Sequence, residues 1–240
     1  MDELIVALDS TRIEQTKLVV KKICSSIGAF KIGPILFTSM GPAAVDMVHN
    51  LGGKVFLDLK WHDIPNTVAE ACREAVRQGV FMVNIHISGG VRMINAARNA
   101  IDQEHKQGIK PLLLGVTVLT SFKDKDLISI GVERPIKYQV SNLTDLAVSA
   151  GIDGVVASGW EVPTIKEKWK KIIAVVPGIR PKWEMKKKQI LSDDQFRIMS
   201  PIEALKNGAD YLVVGRPVME NKDPVKAVSL IKEEIKLWQN

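Results

Sequence analysis

Eight apolar runs of five to nine residues recur along the chain, and most are separated by segments whose apolar positions return every three or four residues. The runs Leu4 to Asp9, Ala29 to Gly33, Lys54 to Lys60, Phe81 to Ile87, Pro111 to Leu119, Gly154 to Ser158, Ile172 to Ile179 and Tyr211 to Pro217 are predicted to be strands. Helical spacing is predicted over Ile13 to Ser26, Pro42 to Leu51, Pro65 to Gln78, Val91 to His105, Pro135 to Ala150 and Pro201 to Asn207, and a last helix over Pro224 to Trp238 closes the chain. Gly marks most of the helix ends, as at Gly28, Gly79, Gly108, Gly151 and Gly208, where a left-handed residue can stop a helix before the next strand.

Near-continuous apolar strands alternating with amphipathic helices imply a parallel sheet covered on both faces. Eight such units favour a closed (β/α)8 barrel, and 240 residues suit one such domain spanning 1–240. No Gly-x-Gly-x-x-Gly follows the first strand, which argues against a dinucleotide-binding sheet. Two connections are long, Thr120 to Arg134 after the fifth strand and Arg180 to Gln195 after the seventh; loops of that length in a compact domain usually bind or cover ligands.

Composition narrows the class. With 46% hydrophobic and 25% charged residues the chain reads as an ordinary soluble protein, and no apolar run approaches the roughly 18 residues that span a membrane. A cytoplasmic location is expected. Cys24 and Cys72 are too few for a disulfide framework and are expected to pack as small hydrophobes. The net charge of +6 suits an anionic ligand, but Lys and Arg are spread along helices apart from Lys186-Lys187-Lys188, so nucleic acid is not expected as a partner.

Against this background the segment Val55 to Thr67 stands out, because it places Asp58, Lys60 and Asp63 directly after an apolar run. In a strand Asp58 and Lys60 share a face opposite Leu57 and Leu59. An unpaired ion there would cost several kcal/mol, so partners or a function are required. The bland alternative is an edge-strand ion pair, with Asp63 capping the helix that Pro65 opens.

In (β/α)8 barrels the active site lies at the C-terminal ends of the strands. Asp9, Lys31, Asp58, Lys60, Asn84, His86, Thr120, Ser121, Arg180 and Arg216 all fall at or just beyond such ends. His86 is read as a core or supporting residue, and Asn84 as a possible bridge between strands. Lys31 is harder to explain structurally, since a buried lysine must either pair or lose its proton. Pro177-Gly178-Ile179-Arg180 and Gly215-Arg216-Pro217 finish the last two strands with Gly and Arg, a combination that suits phosphate. Ser200-Pro201-Ile202-Glu203 is read as a structural capping box.

These residues resemble the orotidine 5′-monophosphate (OMP) decarboxylase family over essentially the whole chain. The most specific match is Asp58-Leu59-Lys60-Trp61-His62-Asp63-Ile64-Pro65-Asn66-Thr67, which is similar to the family signature Asp-x-Lys-x-x-Asp-Ile-Pro-Asn-Thr. Ala7-Leu8-Asp9, Phe30-Lys31-Ile32-Gly33, Leu119-Thr120-Ser121, Asp194-Gln195 and the two Gly-Arg segments support it. The resemblance implies decarboxylation of OMP to UMP and CO2 in pyrimidine synthesis, without cofactor or metal. It implies a homodimer in which Lys31, Asp58 and Lys60 join Asp63 of the other subunit in an alternating charge array. Asp9 and Lys31 would hold the ribose hydroxyls, with Thr67 contributed across the interface; Thr120 or Ser121 would contact the pyrimidine. Arg180, Gln195, Gly215 and Arg216 would bind phosphate, Gln189 being the alternative to Gln195. The segment from Arg180 to Gln195 is longer and bulkier than the family's usual loop.

The resemblance leaves three rivals to weigh. One is a Mg2+-dependent decarboxylase or aldolase of sugar phosphates, whose metal ligand would be a carboxylate where this chain has Lys31. The others are a Schiff-base aldolase using Lys60, and a non-catalytic phosphate sensor.

Overall fold

The strands β1 (Leu4–Ala7), β2 (Ala29–Ile32), β3 (Val55–Trp61), β4 (Met82–His86), β5 (Leu112–Val116), β6 (Gly154–Val156), β7 (Ile173–Val176) and β8 (Tyr211–Val214) pair in sequential order, all parallel. β8 returns to β1 through Leu4–Leu212 and Ile5–Val213, so the sheet closes into the expected (β/α)8 barrel. The computed structural model describes residues 3–108, 110–185 and 197–239.

Two apolar layers follow from the strand periodicity. Ile5, Ala7, Ala29, Phe56, Met82, Leu114, Val175 and Val213 fill the barrel interior, while the alternate positions Leu4, Val6, Phe30, Leu57, Val83 and Leu212 pack against the surrounding helices. The same parity decides where the charges go. Lys31 is two residues beyond Ala29, Asp58 two beyond Phe56 and Asn84 two beyond Met82, so all three point inward, one layer above the interior core.

Several boundaries differ from the sequence reading. Most strands are shorter at their C-terminal ends, because the chain leaves the sheet at the mouth to form loops; β1 stops at Ala7 and leaves Asp9 in a loop. The Thr120 to Arg134 connection contains the helix Asp124–Ser129, whose entry is held where the Asp126 carboxylate accepts from the Lys123 N–H. The beginning of the Arg180 to Gln195 connection forms the short helix Lys182–Met185. Helices Pro34–Met40, Val162–Lys168 and Arg216–Met219 were also not anticipated; each carries Pro in its first turn, where the missing N–H costs no intrahelical bond. Cys72 is buried, and burial pushes its thiol up to about 12, whereas Cys24 is only half-buried. The capping box at Ser200 is present: Ser200 Oγ accepts from the Glu203 N–H at 3.3 Å and Glu203 Oε2 accepts from the Ser200 N–H at 3.0 Å. Among the described residues no helix is long and apolar enough to cross a membrane.

Candidate active site

A cavity of about 1050 Å³ opens at the C-terminal ends of the strands. On its floor Asp58 lies between two ammonium groups. Lys60 Nζ is 2.7 Å from Asp58 Oδ1, and Lys31 Nζ is 3.0 Å from Asp58 Oδ2 and 3.1 Å from Asp9 Oδ1. The charges thus alternate Asp9, Lys31, Asp58, Lys60 from the loop after β1 across β2 and β3.

Their environment grades from buried to open. The Asp58 and Lys31 side chains are 8% and 11% exposed, against 29% for Lys60 and 41% for Asp9. The most solvent-accessible ammonium is therefore the one at the end of β3. Burial alone would raise the pKa of Asp58, but Lys31, Lys60 and a hydrogen bond from Asn84 outweigh it and hold the carboxyl below its ordinary value. Burial alone would lower Lys31, but Asp58 and Asp9 overcome it and hold the ammonium above its ordinary value. Both groups therefore remain ionised around neutrality.

Two local features build this geometry. Gly33 is needed for close approach: a Cβ there would lie 2.7 Å from Asp9 Oδ1 and 2.8 Å from Lys31 Nζ, in the space the ion pair occupies. Lys60 has φ of +50°, the left-handed region that non-Gly residues visit at a cost, and among the described residues it is the one non-glycine there. The β3–β4 register shifts between Leu57 and Trp61 at the same place, which interrupts the ladder. Asn84 repairs the break. Its side-chain carbonyl accepts from the Lys60 N–H at 2.8 Å, and its amide donates to Asp58 Oδ1 at 2.6 Å. Asn84 is wholly buried, so it works as the bridge anticipated among its possible roles.

The opposite wall carries Gly178, Arg180, Gly215 and Arg216, and Thr120 and Ser121 lie along the β5 side. Gly178 has φ of +76°, a conformation that favours glycine. The Arg180 side chain is buried, and its Nη1 donates to the Ile179 carbonyl at 3.0 Å. Ser10, Arg12, Gln15, Pro34, Ile35 and Glu220 also line the cavity. They escaped the sequence reading because they sit on loops and first helical turns rather than at strand ends.

Asp63 and Thr67 do not join this wall. Both are exposed outside the cavity of their own chain. Asp63 Oδ1 accepts from the adjacent Ile64 N–H at 2.6 Å, and the helix Pro65–Arg77 has no side-chain cap, so Asp63 does not serve as the cap. His86 is half-buried with its ring centroid 5.6 Å from that of His62; burial first, then the neighbouring His62 and Lys60, lower its pKa. Gln195, Gln189 and Lys186 to Lys188 lie outside the described residues.

Residues 2–231 match the family model described as "Orotidine 5'-phosphate decarboxylase / HUMPS family". The chain belongs to this family. It is 43% identical over 235 residues to an orotidine 5′-phosphate decarboxylase of Geobacter sulfurreducens, covering 98% of this chain and 96% of that protein. To the protein of the same name from Geotalea uraniireducens it is 45% identical over 234 residues, covering 97% and 95% of the two chains. The crystal structure of orotidine 5′-phosphate decarboxylase from Lactobacillus acidophilus superposes with a TM-score of 0.83 at 32% identity, covering 98% of this chain and 99% of that one. Within the orotidine 5′-phosphate decarboxylase / HUMPS family, the segment Asp58 to Thr67 divides in this structure into Asp58 and Lys60 inside the cavity and Asp63 and Thr67 outside it.

Proposed function

We propose that the chain converts OMP to UMP and CO2 in a single 1–240 catalytic domain, with no cofactor, and that Lys60 stabilises and protonates the carbon that loses the carboxylate. The observation that carries this reading is the alternating Lys31–Asp58–Lys60 cluster under a cavity whose far wall presents Arg180 and Arg216. Charge separated in that way suits a substrate with a phosphate at one end and a carboxylate at the other.

In the proposed reaction the bond from C6 to the carboxyl carbon breaks, its electron pair stays on C6 in the ring plane, and CO2 leaves. The Lys60 ammonium then gives C6 a proton, and the amine regains one from solvent. Asp58 lies beside the departing carboxylate. Two like charges about 4 Å apart repel by about 4 kcal/mol at an effective dielectric near 20, which is about three decades of rate. Enzymatic accelerations can require as much as about 23 kcal/mol, so stabilisation of the developing anion by a preorganised Lys60 has to contribute more than ground-state repulsion. Asp9 and Lys31 hold the ribose hydroxyls, and Thr120 or Ser121 meets the pyrimidine. Arg180, Gly215, Arg216 and Gln195, or Gln189 in its place, bind the phosphate.

The site is shared between two copies of the chain in the cytoplasm. Asp63 and Thr67 are exposed outside their own cavity and next to Ile64, which is 67% exposed. A self-complementary contact there would bury the isoleucine and carry Asp63 and Thr67 to the partner's cavity, where Asp63 extends the charge array.

A Mg2+-dependent decarboxylase or aldolase of sugar phosphates is the rival. Its chemistry needs a cation among carboxylates, and here the Lys31 ammonium already sits 3.1 and 3.0 Å from the two carboxylates that would face such an ion. A Schiff base on Lys60 is disfavoured because its Nζ is engaged with Asp58 Oδ1 at 2.7 Å rather than free to attack a carbonyl. The test is loss of OMP absorbance on mixing with the protein in EDTA, with UMP identified as product. Turnover in chelator supports the proposal and excludes the metal-dependent and sensor readings; a folded dimer that leaves OMP unchanged overturns it.

A further inference from the structure

Outside the charge array, a largely buried ion pair lies against the Val118–Leu119 segment that lines the cavity. Arg197 Nη1 donates to Glu161 Oε1, and Arg197 Nη2 donates to the Leu119 carbonyl at 3.0 Å, with the Val118 carbonyl at 3.5 Å. The two side chains are 14% and 9% exposed. Each partner belongs to a different connection of the barrel. Glu161 precedes the helix Val162–Lys168 and donates its own N–H to the Ser158 carbonyl at 3.0 Å. Val118 and Leu119 lie past the end of β5, where the ladder with β6 has finished, and run directly into Thr120 and Ser121. Arg197 itself is two residues from Met199, whose carbonyl accepts from the Arg180 N–H at 2.9 Å and whose N–H donates to the Gly178 carbonyl at 3.2 Å.

One guanidinium therefore connects the wall assigned to phosphate, through Met199 to Arg180, with the wall assigned to the pyrimidine, through Leu119 to Thr120. A planar fork can serve a carboxylate and a carbonyl at once, whereas an ammonium has no such fixed geometry. Burying two ions costs several kcal/mol each, and an apolar pair of similar volume would pack the same space without that cost. The ionic solution is explained if fixed geometry across the rim is what the site requires.

We infer that Arg197, held by Glu161, is a positioning residue that couples the phosphate wall to the pyrimidine loop. This rests on the proposed decarboxylation. Without the strut each wall still forms, but phosphate held at Arg180 and Arg216 no longer fixes where Thr120 and Ser121 stand. The penalty then falls on the substrate that uses both walls. The nucleoside orotidine, which lacks phosphate, has nothing to transmit.

The experiment compares kcat/KM for OMP and for orotidine in the wild type, in Arg197→Met and in the double variant Glu161→Gln/Arg197→Met. The double variant removes the buried charge that Arg197→Met leaves unpaired, and so keeps the comparison available if the single variant does not fold. The expected result is a loss of tenfold or more toward OMP with orotidine changed less than twofold. An equal loss on both substrates would mark the pair as structural only, and no loss on OMP would remove its role; either result overturns the inference while wild-type turnover leaves the functional proposal standing. Absence of wild-type turnover defeats the functional proposal, and the inference with it.

Discussion

Replacing Asn84 tests how the Lys60 position is held. In Asn84→Leu, a substitution of similar volume, the charged Asp58 carboxylate loses the hydrogen bond that the Asn84 amide donates to it, and the Lys60 N–H is left without its acceptor at the ladder break. The first effect is worth about 1.5–3 kcal/mol and the second about 1–3 kcal/mol. Part is recovered because Lys60, freed from its φ of +50°, can relax, which returns about 1–2 kcal/mol. The net is roughly 0.5–5 kcal/mol, from under one decade to nearly four if it appears in kcat/KM. Asn84→Asp separates position from charge. It keeps an acceptor for the Lys60 N–H but sets a second carboxylate against Asp58, in place of an amide only 2.6 Å away. Two such charges about 4 Å apart repel by about 4 kcal/mol at an effective dielectric near 20, so the pair should hold a shared proton. Asn84→Leu should therefore lose activity at every pH, whereas Asn84→Asp should work best in acid and fail as the shared proton leaves. Steady-state decarboxylation followed by absorbance across pH, with urea unfolding in parallel, measures both. If kcat/KM for Asn84→Leu stays within twofold of wild type, Asn84 does not position Lys60.

Arg216→Ala should lower kcat/KM by one to two decades for each charge-assisted hydrogen bond removed, at about 1.5–3 kcal/mol apiece, while product identity is unchanged; unchanged kcat/KM would remove Arg216 from the phosphate site. Mixing inactive Lys60→Ala and Asp63→Ala dimers should restore activity, because a hybrid dimer regains one complete site, and no recovery despite verified subunit exchange would refute the sharing. For pH, the Asp58 carboxyl is depressed in the fold, so its stabilising contribution is present above the ordinary carboxylate pKa of about 3.9 and is lost as pH falls through the lower folded value. Lys31 is raised, so its contribution is full below the ordinary lysine value of about 10.4 and is lost as pH rises through the higher folded value. Urea unfolding of Asp58→Asn should accordingly show a shallower acid limb than wild type, and identical limbs would contradict the sign.

Much of the fold was legible because barrel strands write themselves as short apolar runs, and the parity that buries Ala29, Phe56 and Met82 also aims Lys31, Asp58 and Asn84 at the mouth. What stayed hidden depends on tertiary partners. The left-handed Lys60 and its rescue by Asn84 arise from a register shift between two strands 24 residues apart, which periodicity within either strand does not encode. The Arg197–Glu161 strut joins residues 36 apart on loops with no repeating pattern. Helices such as Asp124–Ser129 are too short to give a periodic signal, and their ends are fixed by side-chain contacts instead. Asp63 and Thr67 were legible as a motif, yet their exposure outside the cavity emerges only when the strand and helix around them are built.

The most direct measurement is kcat for OMP in Lys60→Ala alongside the dissociation constant for UMP. Loss of general acid catalysis, about two to four decades, together with loss of electrostatic stabilisation, about two to three, should lower kcat by roughly four decades or more while UMP still binds within about tenfold of wild type. A Lys60→Ala protein that binds UMP and retains kcat within tenfold would contradict the assignment of Lys60 as the group that stabilises and protonates C6.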